Sequence, residues 1–219
     1  MQPGVARHLS CGLVAWLMLM AVDFSGAPDR NTLLTPIEEE LVAEINRVRA
    51  DPAGYAAILL EKKPYYRGRR IVAPAKEDED HEVAVEITQE GLPALEEAVA
   101  ALRATRRRGR LQLSRRLCRA AHDHVVRQGS AGTEGHSDSG GEPLDRIKVY
   151  VPDVRAVAEN ISYGRSTARD VVIHQLVDDG ETNRGHRKNL LDPRFESIGV
   201  SCGYHLVYGT MCVIDLAAE

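Results

Sequence analysis

Two β-rich runs near the C-terminus, Ser197 to Cys202 and Thr210 to Leu216, are separated by a short stretch containing Gly203 and Gly209. This is a hairpin pattern. If 202 faces 212, then 200 faces 214 and 198 faces 216, which gathers Ile198, Val200, Cys202, Cys212, Ile214 and Leu216 on one face. A half-buried antiparallel sheet requires that alternation. The same register predicts a Cys202–Cys212 disulfide in preference to two free thiols.

A disulfide needs an oxidising compartment, and the N-terminus points to one. Arg7 and His8 precede the apolar stretch from Cys11 to Val22, and Ser25, Gly26 and Ala27 follow. A positive start, an apolar centre of about 7–15 residues and a small-residue cleavage site make a secretory signal peptide. The apolar stretch is short of the roughly 20 residues that a membrane span needs. Residues 1–27 are therefore expected to be the signal, 28–34 a short linker and 35–217 one domain, in a secreted or periplasmic protein. Any membrane contact would run through the signal segment, if it stayed uncleaved. Export exposes the mature cysteines to oxidation. Cys118, in a helical pattern, reads as a small buried apolar residue.

Composition excludes one class of partner. The chain of 219 residues carries a formal charge of −4, whereas a nucleic-acid binder normally shows a net basic domain. The run Arg103, Arg106, Arg107, Arg108, Arg110 is a local exception. With Glu77-Asp78-Glu79-Asp80 to offset it, it reads as a solvated helix end.

Helices show themselves by their caps. Thr35, Pro36 and Glu38 form a capping box with proline at the first helical position, and Ile37, Leu41, Val42, Ile45 and Val48 repeat at helical spacing over about 36–49. Asp51-Pro52 starts a short second helix to about Leu60. Residues 62–92 read as a loop-rich insertion with a short strand near Val83 to Ile87. Further helices are expected over 93–107, over 115–129 after Ser114, and after Thr167. Glycines at 129, 132, 135, 140 and 141 mark a turn-rich segment carrying His136. Four or five helices with a late hairpin make an α+β chain.

The chemistry-bearing residues lie on such segments. His136 in Gly135-His136-Ser137 and His186 in Gly185-His186-Arg187 are flanked by glycine, where a loop can present an imidazole to a cleft, and Glu159 supplies a carboxylate able to orient a ring. No His-Glu-x-x-His, Cys-x-x-Cys, nucleophile elbow or phosphate-binding loop is present.

Taken in order, Gly-His-Ser at 135–137, Ala158-Glu159-Asn160-Ile161, Gly185-His186-Arg187-Lys188-Asn189-Leu190-Leu191-Asp192-Pro193 and Phe195-Glu196-Ser197-Ile198-Gly199-Val200 resemble the CAP superfamily of cysteine-rich secretory proteins. The resemblance covers about Thr35 to Ala217. It implies a three-layer α-β-α sandwich with a central antiparallel sheet, and a cleft of two histidines and two acids. His136, Glu159 and His186 match three of those positions, and Asp178 or Asp179 is the candidate for the fourth. It further implies binding of a lipid or sterol-like ligand, with a divalent metal, zinc first, at His136 and His186. Two alternatives are an extracellular interaction module whose cleft only braces the fold, and a metal-dependent hydrolase with Glu159 as general base.

Overall fold

The computed structural model describes residues 34–72 and 84–219, with the side chains of residues 84 and 85 excepted. The expected signal segment, most of the linker and the acidic run at 77–80 lie outside the described residues. The C-terminal hairpin pairs as its alternation requires. Strands β6 (Ser197–His205) and β7 (Gly209–Ala218) run antiparallel with Cys202 opposite Cys212, Val200 opposite Ile214 and Ile198 opposite Leu216. Cys202 and Cys212 are disulfide-bonded.

This hairpin is the centre of a four-stranded sheet ordered β4-β6-β7-β5. Strand β5 (Ala156–Tyr163) pairs antiparallel with β7 along its whole length and forms one edge. Strand β4 (Gln112–Leu113) adds two residues parallel to β6 at the other edge.

Helices cover both faces. The face predicted to be apolar meets α1 (Pro36–Ala50), α2 (Pro52–Leu60), α3 (Leu92–Ala104), α6 (Ala168–Val177) and α7 (Gly185–Leu191), and the main core lies between them. Leu41, Ile45, Leu95, Leu102, Leu176 and Leu190 are fully buried there; each such side chain contributes about 1.5–3 kcal/mol. The opposite face meets α4 (Arg115–Ala131) and α5 (Pro143–Tyr150). Here β6 presents glycine. A Cβ on Gly199 would lie 2.3 Å from the backbone and side chain of Leu117, so the glycine is what lets α4 approach.

Several local expectations change. Helix α3 ends at Ala104 rather than 107, because Thr105 turns extended, its hydroxyl donates to the Ala101 carbonyl, and the Arg108 amide pairs with the Arg49 carbonyl. Seven α-helices form among the described residues; α5, hidden among glycines, starts at Pro143 with Glu142 and Asp145 as a capping box. The 62–92 segment carries a three-stranded antiparallel sheet of β1 (Tyr66–Arg67), β2 (Arg70–Val72) and β3 (Ala84–Ile87), where a loop with one strand was expected. Cys118 is half-buried, and its thiol accepts from the Val200 amide. Burial pushes its pKa up, which disfavours the nucleophilic thiolate form. No described helix is long and apolar enough to cross a membrane.

Candidate functional site

Strand β5 organises the site through two consecutive side chains that point to opposite faces of the sheet. Glu159, 1% exposed at its side chain, holds His136: Nδ1 of the ring lies 2.8 Å from Oε1. On the same side Arg146 of α5 donates to Glu159 Oε2 at 2.5 Å and to the carbonyls of His136 and Gly141 at 2.8 and 2.7 Å. One buried guanidinium thus fixes both the histidine's backbone and its carboxylate partner.

A second buried carboxyl backs this pair. Asp215 of β7 stands opposite Glu159 in the sheet register and is buried beneath α4. Burial, and then the Glu159 charge, push its pKa well up, and the two carboxyl side chains lie within hydrogen-bonding reach of each other. Glu159 is thus shared among an arginine, a histidine and a second carboxyl group.

The loop before His136 is pinned as firmly. Gly135 has φ +97°, a left-handed conformation in which glycine is favoured. Its amide donates to the Tyr163 hydroxyl at 3.0 Å, and its carbonyl accepts from Gln128 at 2.7 Å. That carbonyl also meets Nε2 of the fully buried His124, whose Nδ1 bonds Asp138 at 2.5 Å.

On the other side of β5, the Asn160 amide donates to Gln175 at 2.8 Å and to the His186 carbonyl at 3.0 Å, and accepts from Asn189 at 2.9 Å. His186 itself is held by Asp178. Oδ1 lies 2.6 Å from Nδ1 of the ring, while Oδ2 accepts from the His186 amide at 2.9 Å and the Arg187 amide at 3.4 Å. Asp178 therefore orients the imidazole and also satisfies amides at the start of α7. It does so from a left-handed backbone (φ +55°), a conformation unusual for any residue but Gly, Asn or Asp. The bond to Asp178 raises the His186 pKa against the effect of burial.

Asp179, the other candidate acid, turns elsewhere. Its carboxylate accepts from the amides of Gln89, Glu90 and Gly91 at the entrance to α3. The start of α7 is tied to the same helix. Arg184 forks onto Glu90, and Arg187 reaches both oxygens of Glu97. The far end of α7 is held by Arg49, which donates to the carbonyls of Leu190, Asp192, Phe195 and Gly109, while Arg108 donates to Leu191. Cations at a helix C-terminus also complement its dipole.

Both candidate histidines thus spend Nδ1 on a carboxylate and stay partly open, with side chains 48% exposed at His136 and 27% at His186. Among the described residues, Nε2 of neither ring makes a hydrogen bond. Arg146, Asp215, His124, Asp138 and the Arg49 staple were not identified from sequence.

The profile of the Cysteine-rich secretory protein family (CAP) matches residues 96–213, more than half of the chain. The chain belongs to this CAP family. Its sandwich of helices around an antiparallel sheet is the architecture expected of a CAP domain. The uncharacterized protein YkwD of Bacillus subtilis is 37% identical over 60 residues, a match spanning 27% of this chain and 21% of that relative's length. Among solved structures, an extracellular protein containing an SCP domain from Bacillus anthracis is 22% identical, over 51% of this chain and 35% of its own, with a TM-score of 0.43. An outer surface protein of Borrelia burgdorferi is 19% identical over 51% of this chain and 80% of its own, with a TM-score of 0.45.

Proposed function

We propose that this CAP domain is an extracellular binding protein for a lipid or other small ligand, whose polar end meets Nε2 of His136 and His186. The observation that carries the reading is the pair of histidine–carboxylate dyads anchored to neighbouring residues of β5. Because β5 is an edge strand, groups from both helical layers have access to its margin. Each ring is fixed through Nδ1, which leaves Nε2 to face a partner.

An apolar surface lies against the loop that leads to the first histidine. Leu206, Val207 and Tyr208 at the β6–β7 turn are exposed, the Tyr208 hydroxyl bonds Glu134 at 2.5 Å, and Leu206 and Val207 crowd Gly132. A ligand with a polar head and an apolar body fits that juxtaposition.

A divalent ion, zinc by the preference of imidazole donors, would be held by the two Nε2 atoms. The described residues form no group of three donors, so a bound ligand or water would complete its shell. Such an ion would polarise the ligand's oxygen atoms. The hydrolase alternative asks Glu159 to take a proton from water. Both of its oxygens are already engaged and its side chain is buried, which supports binding without turnover.

The test is mass spectrometry of an organic extract of the purified protein, with metal analysis and uptake of a fluorescent sterol and a fluorescent fatty acid. Bound lipid or probe is expected, reduced about tenfold in His136→Ala/His186→Ala and in Leu206→Ser/Val207→Ser, each change corresponding to about 1.4 kcal/mol. Absence of lipid, probe and metal from a folded wild-type protein would leave the cleft as a brace in an interaction module.

A further inference from the structure

The arginine run after α3 forms a surface separate from the histidine site. Its sequence reading as a solvated helix end holds for Arg103, in the last turn of α3, whereas Arg106, Arg107, Arg108 and Arg110 lie beyond Ala104, on the loop that leads to β4. Arg108 and Arg110 share a groove of about 410 Å³ with Asn46 and Arg47 of α1. Arg103, Arg106, Arg107 and Arg110 are exposed, and among the described residues none of the four is hydrogen-bonded or ion-paired. Arg47 stands 3.7 Å from its only ion-pair partner among those residues, Glu44.

The wall behind the groove adds charge rather than cancelling it. Arg49 is buried and Arg108 half-buried, and both bond backbone carbonyls only. Burial, and then the Arg108 charge, press the Arg49 pKa down to about 10, with Asp192 opposing. In a chain whose formal charge is −4, the groove and its loop therefore gather Arg47, Arg49, Arg106, Arg107, Arg108 and Arg110, with Glu44 acting on Arg47 and Asp192 on Arg49 among the described residues.

We propose that this face binds a linear polyanion, a chain carrying closely spaced sulfate or phosphate groups. Guanidinium forks match the geometry of such oxyanions better than ammonium groups do. The groove offers positive charge from both α1 and the loop, and the exposed Arg106 and Arg107 directly precede Arg108 on that loop, so that successive anions of one chain find successive partners. Residues 105–110 are Thr-Arg-Arg-Arg-Gly-Arg. They include no apolar side chain to enter a bilayer and no aromatic ring on which a nucleobase would stack. Both features favour a polysaccharide or polyphosphate chain over a membrane or a single-stranded nucleic acid.

The experiment measures retention and affinity of the secreted-form protein on heparin and on long-chain polyphosphate over a salt series. Phosphatidylserine vesicles and an oligonucleotide serve as competitors. Wild-type protein is expected to bind at least one of the two polyanions at about 150 mM salt, with affinity falling steeply as salt rises. Arg106→Ser/Arg107→Ser is expected to weaken binding about tenfold, and adding Arg110→Ser to weaken it further. The charge-matched control Lys148→Ser/Arg155→Ser should stay within about twofold of wild type. All of these positions are exposed, so circular-dichroism melting curves should coincide. Binding lost below about 150 mM salt, equal weakening in the control, or tighter binding to vesicles or oligonucleotide would each overturn the proposal. None of the substituted residues touches His136 or His186, so the outcome is independent of ligand binding there.

Discussion

Replacing Arg49 by methionine keeps the apolar stem packed and deletes the four bonds that join the end of α1 to the end of α7, the 192–195 turn and the arginine loop. The side chain is 1% exposed, and its acceptors are the carbonyls of Gly109, Leu190, Asp192 and Phe195 at 2.8 to 3.1 Å. Bonds from a charged donor are worth about 1.5 kcal/mol each at the low end, or about 6 kcal/mol together. Against this stands the cost of burying the charge. A pKa lowered from 12.5 to about 10 corresponds to about 3 kcal/mol. The difference predicts that Arg49→Met destabilises the domain by about 3 kcal/mol.

The assay is urea unfolding followed by far-ultraviolet circular dichroism. Fluorescence is unsuited because the single tryptophan is Trp16, within the expected signal segment. With a slope of about 2 kcal/mol per molar urea, the midpoint should fall by about 1.5 M. Arg49→Lys should lie between wild type and Arg49→Met, since one ammonium cannot reach four carbonyls arranged around a planar fork. A midpoint shift below about 0.3 M for Arg49→Met would show that the bonds merely repay the burial, and that α7 is held by its other contacts.

Gly199→Ala places a methyl 2.3 Å from the backbone of Leu117; it should cost at least about 2 kcal/mol, read as a melting-temperature drop of about 4–8 °C. Converting both Cys202 and Cys212 to alanine opens a covalent loop with a sequence separation of 10 and should cost about 2–3 kcal/mol by urea unfolding, with the hairpin register unchanged in nuclear magnetic resonance contacts. The Arg184 fork and the Gly180 amide hold the Glu90 carboxyl down to about 2. Because this folded value is depressed, its contribution is present above about pH 4.3 and is lost as pH falls toward 2; the Glu90 carboxyl carbon resonance should titrate near pH 2, and an ordinary midpoint near 4.3 would refute the fork. Asp215→Asn keeps the side chain's shape and offers Glu159 an amide donor, and should preserve the fold with little change in melting temperature. Asp215→Ala leaves Glu159 short of a donor and should cost about 1–3 kcal/mol.

Periodicity carried the hairpin and the long helices because each writes its buried face into one continuous segment. The register at 198–216 was readable from alternation alone, and α1 from Thr35, Pro36 and Glu38. The dyads were legible only by halves. His136, Glu159 and His186 stand out as polar residues in glycine-flanked or β-rich contexts, yet the choice between Asp178 and Asp179 depends on which carboxylate the end of α6 turns toward α7. That turn is the left-handed residue Asp178, and nothing in the local pattern distinguishes it from its neighbour. Arg146 and Arg49 were illegible for a different reason. Each lies in an amphipathic helix where a surface arginine is the ordinary expectation, and their partners are carbonyls and a carboxylate on other segments, 5 to 13 residues away for Arg146 and 60 to 146 for Arg49.

The two histidines are held by unlike means, and this bears on which of them responds to a ligand. His136 leans on a carboxyl group that is also bonded to Arg146 and backed by buried Asp215, so any ligand that draws on the ring must compete with a buried, fully engaged partner. His186 leans on Asp178, whose other oxygen is committed to the first amides of α7. Moving the His186 ring therefore disturbs the start of its own helix, which Arg184 and Arg187 tie to α3 and Arg49 ties to α1. A ligand at His136 would be felt within the sheet and α5. A ligand at His186 would be felt across the whole opposite helical layer. Amide hydrogen exchange in α1 and α3, with and without bound ligand, would follow that second route directly.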